Sequence, residues 1–485
     1  MDLRDLIDTL RREEKLVEID EEVHWNLEAA AYTAMACRVE NGRGASLFNN
    51  VKGYKDRGRI IGNAFCASRR RPWERSALIF GMGANTTWPE YREEFMRRIE
   101  HPLKPIVVEA GDAVCKQNIM MGKDVDLLAF PWPYIHQVDG GRYGTIQTHI
   151  VEDPDTGWVN WGNYRMMIVN KNRLTALQVF GQHGPTIFYT KWEPRGEPCP
   201  FCWAVGGDPA ILYAAGLPLP AGVCEADYAG GLREEPLRVV RAETNKLYVP
   251  ANAEIVIEGV IMPGERMDEG PTGEYTGYVH SRAPMPVFHI QCITSRNNPI
   301  IPMSVEGVSF NDNMSVFSSV SAAEFYHALK QGGFPVREVR ALNEASYAAL
   351  VVSTDVPYDG YIQELRNYID SHKITIWGTT NIFVDADVDI SGEDMAEKVY
   401  QELATKIDPK RDIYVTDNDV MATPLSPMVD AKARATGVGG ARVTWDATTP
   451  RSWKSNERVK AVDTGSLFPE QLWSKAAVQY EQLQR

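Results

Sequence analysis

Cysteine is scarce in this chain, which has only seven among 485 residues. An odd number of cysteines spread over a long chain does not form the paired framework of a small secreted domain. Cys199 and Cys202 form a single Cys-x-x-Cys pair, and the sequence offers no second pair of ligands for a structural zinc site. Since Pro198 and Pro200 flank Cys199, we predict that both cysteines are reduced thiols in a loop.

Long apolar segments and an excess of positive charge are also missing. No apolar run approaches the ~20 residues of a transmembrane helix, and Met1 to Leu6 lack the basic and then apolar layout of a secretory signal. Lysine and arginine number 51 against 65 acidic residues, so the net charge is −14. A chain this acidic is not expected to bind nucleic acid through a broad electrostatic surface. We predict a cytoplasmic protein that binds neither membrane nor nucleic acid.

The patterning that is present predicts an α+β multidomain fold, and the 44% hydrophobic content is enough for two or three cores. Residues 1–105 mix helical and strand-like patterns, which indicates an N-terminal α/β domain. Residues 106–312 are rich in Val, Ile, Thr and Tyr with Gly and Pro punctuation, which predicts a largely antiparallel sheet or barrel. Residues 313–485 return to α/β alternation.

Apolar spacing predicts the individual elements. The predicted helices are Asp2–Glu14, Trp25–Arg38, Tyr91–Ile99, Pro209–Gly216, Ala322–Gly332, Tyr361–Ser371, Met395–Ile407 and Pro469–Gln484. The predicted strands include Leu16–Ile19, Ala253–Met262, Ala348–Ser353 and Ile382–Asp385.

The most informative motif is Glu269-Gly-Pro-Thr-Gly-Glu274, which follows the predicted strand Ala253–Met262. Its proline and two glycines exclude a helix, so two carboxylates five residues apart are held in a rigid loop. Two acids in one site can have different pKa values, so that one donates a proton while the other stays charged. The alternative is a surface turn with solvated glutamates.

Three other motifs precede this one in the chain. They are Asn160-Trp161 with Arg165, then Gln182-His183, and then Leu217-Pro218 with Glu225. In this order, the four motifs resemble the UbiD-type decarboxylases, which depend on prenylated FMN. The resemblance extends from Leu3 to Pro450 and implies that residues 106–312 form a split β-barrel flavin-binding domain.

The resemblance implies a set of ligands for the cofactor and its ions. Mn²⁺ would bridge Asn160, His183 and Glu225 to the phosphate of prenylated FMN, whereas His183 alone would be interpreted as a structural histidine. The other implied cofactor contacts are Asn163, Tyr164, Arg165, Gln182, Leu217 and Pro218. The implied K⁺ ligands, mainly through backbone carbonyls, are Trp161, Ala214, Ala215, Leu217 and Glu225.

The resemblance also implies the chemistry, a non-oxidative and reversible decarboxylation with the flavin as electron sink. The substrate would be an aromatic, heteroaromatic or α,β-unsaturated carboxylic acid. Arg165 would pair with Glu269 and orient the substrate carboxylate, and Glu274 would supply the proton that replaces CO₂. Without the resemblance, Arg165 and a glutamate would be an ordinary buried ion pair. The implied partners are a second copy of the chain, joined through the terminal helix from Pro469, and a flavin prenyltransferase that supplies the cofactor.

Two segments depart from the family pattern. Thr379 occupies the position where the family commonly has a phosphate-binding lysine, and Lys373 lies six residues upstream. The segment Pro424–Pro427 differs from the family near the substrate.

Two other functions remain open, an FMN-dependent reductase and an inactive flavin-binding subunit. Hydride transfer needs no proton donor such as Glu274, which disfavours the reductase. The intact acid pair and metal set disfavour the inactive subunit.

Overall fold

The fold combines three large sheets with helices packed around them. The computed structural model describes residues 1–38, 44–307, 310–346, 348–371, 379–421, 438–453 and 468–484. Within these ranges, no helix has both the length and the apolar character needed to cross a membrane.

The N-terminal segment forms a four-stranded sheet with helices. Its elements are α1 Leu3–Arg12, β1 Leu16–Ile19, α2 Glu28–Arg38, β2 Ala45–Phe48, β3 Arg59–Gly62, α3 Glu74–Ile79 and α4 Trp88–Ile99. Asp2 caps α1 through its side chain, and the predicted apolar stripe of Leu3, Leu6, Ile7 and Leu10 is buried. The fourth strand of this sheet is Ile300–Met303, which pairs in parallel with β3.

The central segment is built on a nine-stranded sheet. The strands of this segment, in all its sheets, are β4 Ile106–Val107, β5 Asn118–Met121, β6 Arg142–Gly144, β7 Gln147–Glu152, β8 Val159–Asn163, β9 Met166–Ile168, β10 Arg173–Ala176, β11 Cys199–Val205, β12 Arg238–Arg241, β13 Tyr248–Pro250, β14 Ile255–Glu269, β15 Thr272–Gly273, β16 Val279–His280, β17 Ala283–Ser295 and β18 Ile300–Met303. Its helices are α5 His183–Ile187, α6 Ala210–Ala214 and α7 Glu225–Arg233. The large sheet has the order β6-β9-β10-β17-β14-β11-β7-β8, with β5 on β17, and every pairing in it is antiparallel as predicted.

The C-terminal segment contains a five-stranded sheet of order β19-β20-β21-β23-β22. Its elements are α8 Asp312–Gln331, β19 Val336–Ala341, β20 Ala349–Thr354, α9 Tyr361–Ser371, β21 Thr380–Asp385, α10 Met395–Lys406, β22 Ile413–Met421, β23 Val438–Ala447 and α11 Glu470–Gln484.

Helix α8 begins ten residues earlier than the sequence predicted, at Asp312 instead of Ala322. Asn311 caps it by accepting a hydrogen bond from the Met314 amide at 3.0 Å. The added turns are rich in serine, which weakens the helical signal in the sequence. Asn313, Phe317 and Ser321, at successive spacings of four residues, bring one face of this helix to the cavity described below.

The prediction that Cys199 and Cys202 lie in a loop is wrong, because both residues are buried in strand β11. Pro200 is tolerated there because β7 pairs with β11 only from Phe201 onward, so Pro200 has a strand neighbour on one side only. Both cysteines are free, in agreement with the predicted reduced state.

Stability should depend on pH through His149, which is fully buried on β7 with its ring 4.5 Å from that of Trp203. Burial lowers the pKa of His149 to about 3. The unfolded chain therefore binds a proton below about pH 6.5 that the folded chain does not bind, and stability falls by ~1.4 kcal/mol per pH unit toward pH 3.

We expect the melting temperature of the wild type to fall more steeply between pH 7.5 and 5 than that of His149→Phe. His289→Phe is the control, because His289 is partly exposed beside Glu265. Parallel profiles for the wild type and His149→Phe would contradict the assignment.

Candidate active site

A cavity of about 210 Å³ opens between the large sheet, helix α8 and the hairpin of β15 and β16. All nine residues predicted to contact the cofactor line it, namely Asn160, Asn163, Tyr164, Arg165, Gln182, His183, Leu217, Pro218 and Glu225. Glu274 lines it too, whereas Glu269 reaches it through Arg165.

The guanidinium of Arg165 joins the two predicted carboxylates. Nε and Nη2 donate to Oε1 and Oε2 of Glu269, both at 2.9 Å, in a two-bond fork. Nη1 contacts the Glu274 carboxylate. Both glutamates are buried, with 0% of Glu269 and 6% of Glu274 exposed, which excludes the solvated surface turn.

The two carboxylates are positioned by the end of β14 and the hairpin that follows it. Glu269 is the last residue of β14, and β15 pairs with β16 before the chain returns along β17. The hairpin is anchored by Gly140, whose amide donates to the Pro271 carbonyl at 2.7 Å. A Cβ at Gly140 would lie 2.0 Å from the Gly270 carbonyl oxygen, so this close approach requires glycine.

Two further side chains hold this network, Tyr143 and His280. The Tyr143 hydroxyl donates to Glu269 Oε1 at 3.0 Å, and Arg165 Nη2 lies 3.3 Å from His280 Nδ1. Burial opposes ionisation of Glu269, but the charge of Arg165 and the hydrogen bonds from Arg165 and Tyr143 outweigh it, so the pKa of Glu269 lies below its ordinary value. Glu269 is therefore the ionised counter-ion of Arg165.

A second polar cluster lies where β8, α5 and α7 meet. Glu225, the first residue of α7, accepts from Asn160 Nδ2 at 2.6 Å and from the Trp161 amide at 2.8 Å. His183 Nδ1 lies 3.9 Å from Glu225 Oε1. The Asn160 Oδ1 atom is buried and has no hydrogen-bond partner among the described residues. An orphaned acceptor beside a carboxylate and an imidazole fits a divalent cation.

The described part of the chain has no cluster of three His, Cys, Asp or Glu side chains suited to a metal. A metal at this position would therefore need the Asn160 carboxamide as its third ligand. Of the residues implied for K⁺, Trp161, Ala215, Leu217 and Glu225 line the cavity. Ala214 lies on buried α6, where its carbonyl accepts from the Leu217 amide at 3.1 Å.

Gln182 and His183 lie at the start of a helix and not at the end of a strand. Strand β10 ends at Ala176, and His183 is the first residue of α5. Pro185 suits this start, because proline is tolerated in the first turn of a helix.

Of the two departures from the family pattern, only Thr379 lies within the described residues. The Thr379 amide donates to the Ala348 carbonyl at 3.0 Å. Lys373 and Pro424–Pro427 lie outside the described residues.

Sequence reasoning missed Tyr143, His280 and Glu306. His280 could have been found by pairing the acid motif with the next strand-like residues as a hairpin. Tyr143 and Glu306 lie in regions without a periodic pattern, and only the folded chain brings them to the cavity.

Three family models match the chain in succession. The domains of the 3-octaprenyl-4-hydroxybenzoate carboxy-lyase family match at residues 7–95 (N-terminal domain), 106–309 (Rift-related domain) and 315–447 (C-terminal domain). These matches define a carboxy-lyase, an enzyme that removes CO₂ without oxidation. This chain belongs to the UbiD family.

Individual relatives agree over nearly the full length. The chain is 34% identical over 483 residues to the pyrrole-2-carboxylic acid decarboxylase of Pseudomonas aeruginosa, covering 97% of this chain and 95% of the relative. It superposes on the vanillic acid decarboxylase of Sedimentibacter hydroxybenzoicus in its closed form with a TM-score of 0.86, 26% identity and coverage of 99% and 98%.

An evolved dimeric form of the UbiD-class enzyme HmfF from Pelotomaculum thermopropionicum, in complex with prFMN, gives a TM-score of 0.77, 26% identity and coverage of 95% and 97%. The predicted α+β multidomain fold and decarboxylase activity are confirmed by these comparisons.

Proposed function

We propose that this protein decarboxylates an aromatic or heteroaromatic carboxylic acid with prenylated FMN bound in the cavity. The observation that carries the proposal is the single guanidinium of Arg165 held between two buried carboxylates at the cavity wall. An ordinary ion pair needs one acid, whereas replacing CO₂ by a proton needs a counter-ion and a separate donor.

The chain's own residues divide the work. Arg165 binds and orients the substrate carboxylate, and Glu269 keeps Arg165 charged and in place. Tyr143 and His280 limit the movement of that pair. Glu274 holds the proton that is delivered to the carbon losing CO₂, and the burial of the site excludes water as a competing donor.

Asn160, His183 and Glu225 would hold Mn²⁺, and with it the cofactor phosphate. Trp161, Ala214, Ala215, Leu217 and Glu225 would hold K⁺. When bound, prenylated FMN supplies an electron sink for the carbon–carboxylate bond. With Thr379 in place of a lysine, the phosphate would be held either by Lys373 or by the metal and backbone amides alone.

The test of the proposal compares protein made with and without a co-expressed flavin prenyltransferase, the expected supplier of the cofactor. The first preparation should contain prenylated FMN by mass and release CO₂ from ring acids. A preparation that carries the cofactor but releases no CO₂ from any ring acid would overturn the proposal.

Metal and cofactor binding should be coupled. We expect His183→Ala and Glu225→Ala each to lose both Mn²⁺ and flavin, because the metal joins the protein to the phosphate. Metal analysis and flavin absorbance of the purified variants measure this. His289→Ala is the matched control. It breaks a histidine–glutamate pair whose atoms are 2.7 Å apart and which lies outside the cavity. Full flavin content in Glu225→Ala would contradict the ligand assignment.

We place three domains at 1–105, 106–312 and 313–485. Dimerisation should depend on α11, which belongs to the C-terminal domain. Helix α11 and the residue pair before it expose a series of large apolar side chains, namely Phe468, Leu472, Trp473, Val478, Tyr480 and Leu483. We expect deletion of residues 468–485 to halve the mass measured by light scattering, because this apolar surface then has no partner. An unchanged mass would exclude the helix as the contact.

A further inference from the structure

We infer that Glu306 is a specificity-determining residue that selects ring acids carrying a hydrogen-bond donor, a ring N–H or a phenolic O–H. The inference rests on the proposed function, since it concerns the ring of a substrate whose carboxylate meets Arg165. Glu306 lies in the segment between β18 and α8 and lines the same cavity as Arg165 and Glu274.

Three neutral donors position the Glu306 carboxylate. Oε1 accepts from the Ser304 hydroxyl at 2.7 Å and from Asn313 Nδ2. Oε2 accepts from Asn311 Nδ2 at 3.1 Å. In the described ranges, no lysine or arginine nitrogen lies within 4.0 Å of this carboxylate. The direct contacts of this carboxylate are therefore hydrogen bonds from neutral groups.

One acceptor position of this carboxylate remains available. A carboxylate offers about four lone-pair positions, and Oε1 uses two of them while Oε2 uses one. Burial raises the pKa of Glu306, although its hydrogen bonds act in the opposite direction. A ligand that donates a hydrogen bond to Oε2 would fill the last acceptor position and offset part of the free-energy cost of burying the charged carboxylate.

Glu306 lies beside the hairpin that carries Glu274. The Glu306 carbonyl oxygen lies 2.8 Å from His136 Nε2, and the His136 ring packs against Gly273, where a Cβ would lie 2.5 Å from Cε1. Gly273 directly precedes Glu274, so Glu306 borders the catalytic hairpin through one intervening side chain. The cavity thus presents a cation at Arg165 and an anion at Glu306.

Opposite charges in one cavity favour one arrangement of a ring acid. The substrate carboxylate is repelled by Glu306 and attracted by Arg165, so the ring extends toward Glu306. An N–H or O–H on the ring then donates to the carboxylate. A ring without a donor covers this partly buried carboxylate and leaves one of its acceptor positions unpaired, which costs binding free energy.

Matched pairs of acids test this inference by binding. The full-length protein is loaded with FMN in place of prenylated FMN, so that the cofactor site is filled but turnover does not compete, and dissociation constants are measured by calorimetry. Pyrrole-2-carboxylic acid against furan-2-carboxylic acid tests a ring N–H, and 4-hydroxybenzoic acid against 4-fluorobenzoic acid tests an O–H. We expect the donor-bearing acid of at least one pair to bind at least ~10-fold more tightly in the wild type.

In Glu306→Gln the ratio of the two dissociation constants within the pair should fall toward one. Glu306→Asp keeps the charge but moves the carboxylate oxygens away from the ligand, so it should show a smaller preference for the same acid. This variant replaces Glu306→Gln in the test if Glu306→Gln fails to fold. Glu258→Gln is the control, because the Glu258 carboxylate also accepts three hydrogen bonds, at 3.0, 2.8 and 2.9 Å, but lies outside the cavity. It should keep the wild-type preference.

An unchanged preference in Glu306→Gln, no preference in the wild type, or no binding of any of the four acids would overturn the inference. Failure of the proposed function has a different signature, in which the protein loaded with prenylated FMN releases no CO₂ while the binding preference persists.

Discussion

Replacing Glu274 by glutamine is expected to lower the decarboxylation rate by at least ~10²-fold, the usual scale for removing a positioned general acid. The amide is nearly isosteric with the carboxyl group, so the fold, the metal and the cofactor should be retained. The loss should appear in kcat, because the amide does not supply the proton that replaces CO₂.

The measurement is the rate of CO₂ release by wild type and Glu274→Gln at equal cofactor content. Glu324→Gln is a suitable control, since Glu324 is half-buried on α8 but does not line the cavity. Near-normal turnover of Glu274→Gln would remove Glu274 from the mechanism and direct the search for the donor to Glu269 or to a bound water.

Replacing Glu269 by glutamine should have an equally large effect for a different reason. Glu269 fixes Arg165 through two hydrogen bonds of 2.9 Å, and the substitution leaves the guanidinium without its buried counter-ion. Breaking a buried pair from one side costs ~3–5 kcal/mol, and misplacing a binding group by about 1 Å costs ~10²-fold in rate. We therefore expect both a lower melting temperature and a loss of activity.

Glu338→Gln separates these two effects, because Glu338 pairs with Arg92 in another buried ion pair outside the cavity. That variant should lose stability but keep its kcat. The effect of Glu269→Gln on stability should also diminish at low pH. The lowered pKa of Glu269 means that its contribution is present above the unfolded pKa and is lost as the pH falls through the folded value. Retention of full activity by Glu269→Gln would show that Arg165 needs no fixed counter-ion.

The sequence could predict those parts of the fold that depend on local pattern. Helix α1 was predicted from its apolar stripe, and α9 was predicted with its observed bounds, Tyr361–Ser371. The start of α8 was missed because its serines have no helical preference of their own, and tertiary burial of that segment decides its conformation.

The candidate site was partly predictable for a related reason. Its acids and cofactor contacts occur in short motifs, so the sequence could name Arg165, Glu269 and Glu274. The residues that support them come from distant segments. Tyr143 meets Glu269 across 126 positions and His280 meets Arg165 across 115, and no local pattern encodes such contacts. Strand β18 shows the same limit, since it joins the N-terminal sheet from position 300.

Decarboxylation in D₂O by the protein loaded with prenylated FMN tests the central claim most directly. Pyrrole-2-carboxylic acid is a suitable substrate, and CO₂ and the ring product are quantified together by mass spectrometry. The account predicts one CO₂ for each ring product, a single deuterium at the vacated carbon, no consumption of an oxidant, and a rate at least ~10²-fold lower in Glu274→Gln. A product that is oxidised, or wild-type rates of deuterium incorporation in Glu274→Gln, would contradict it.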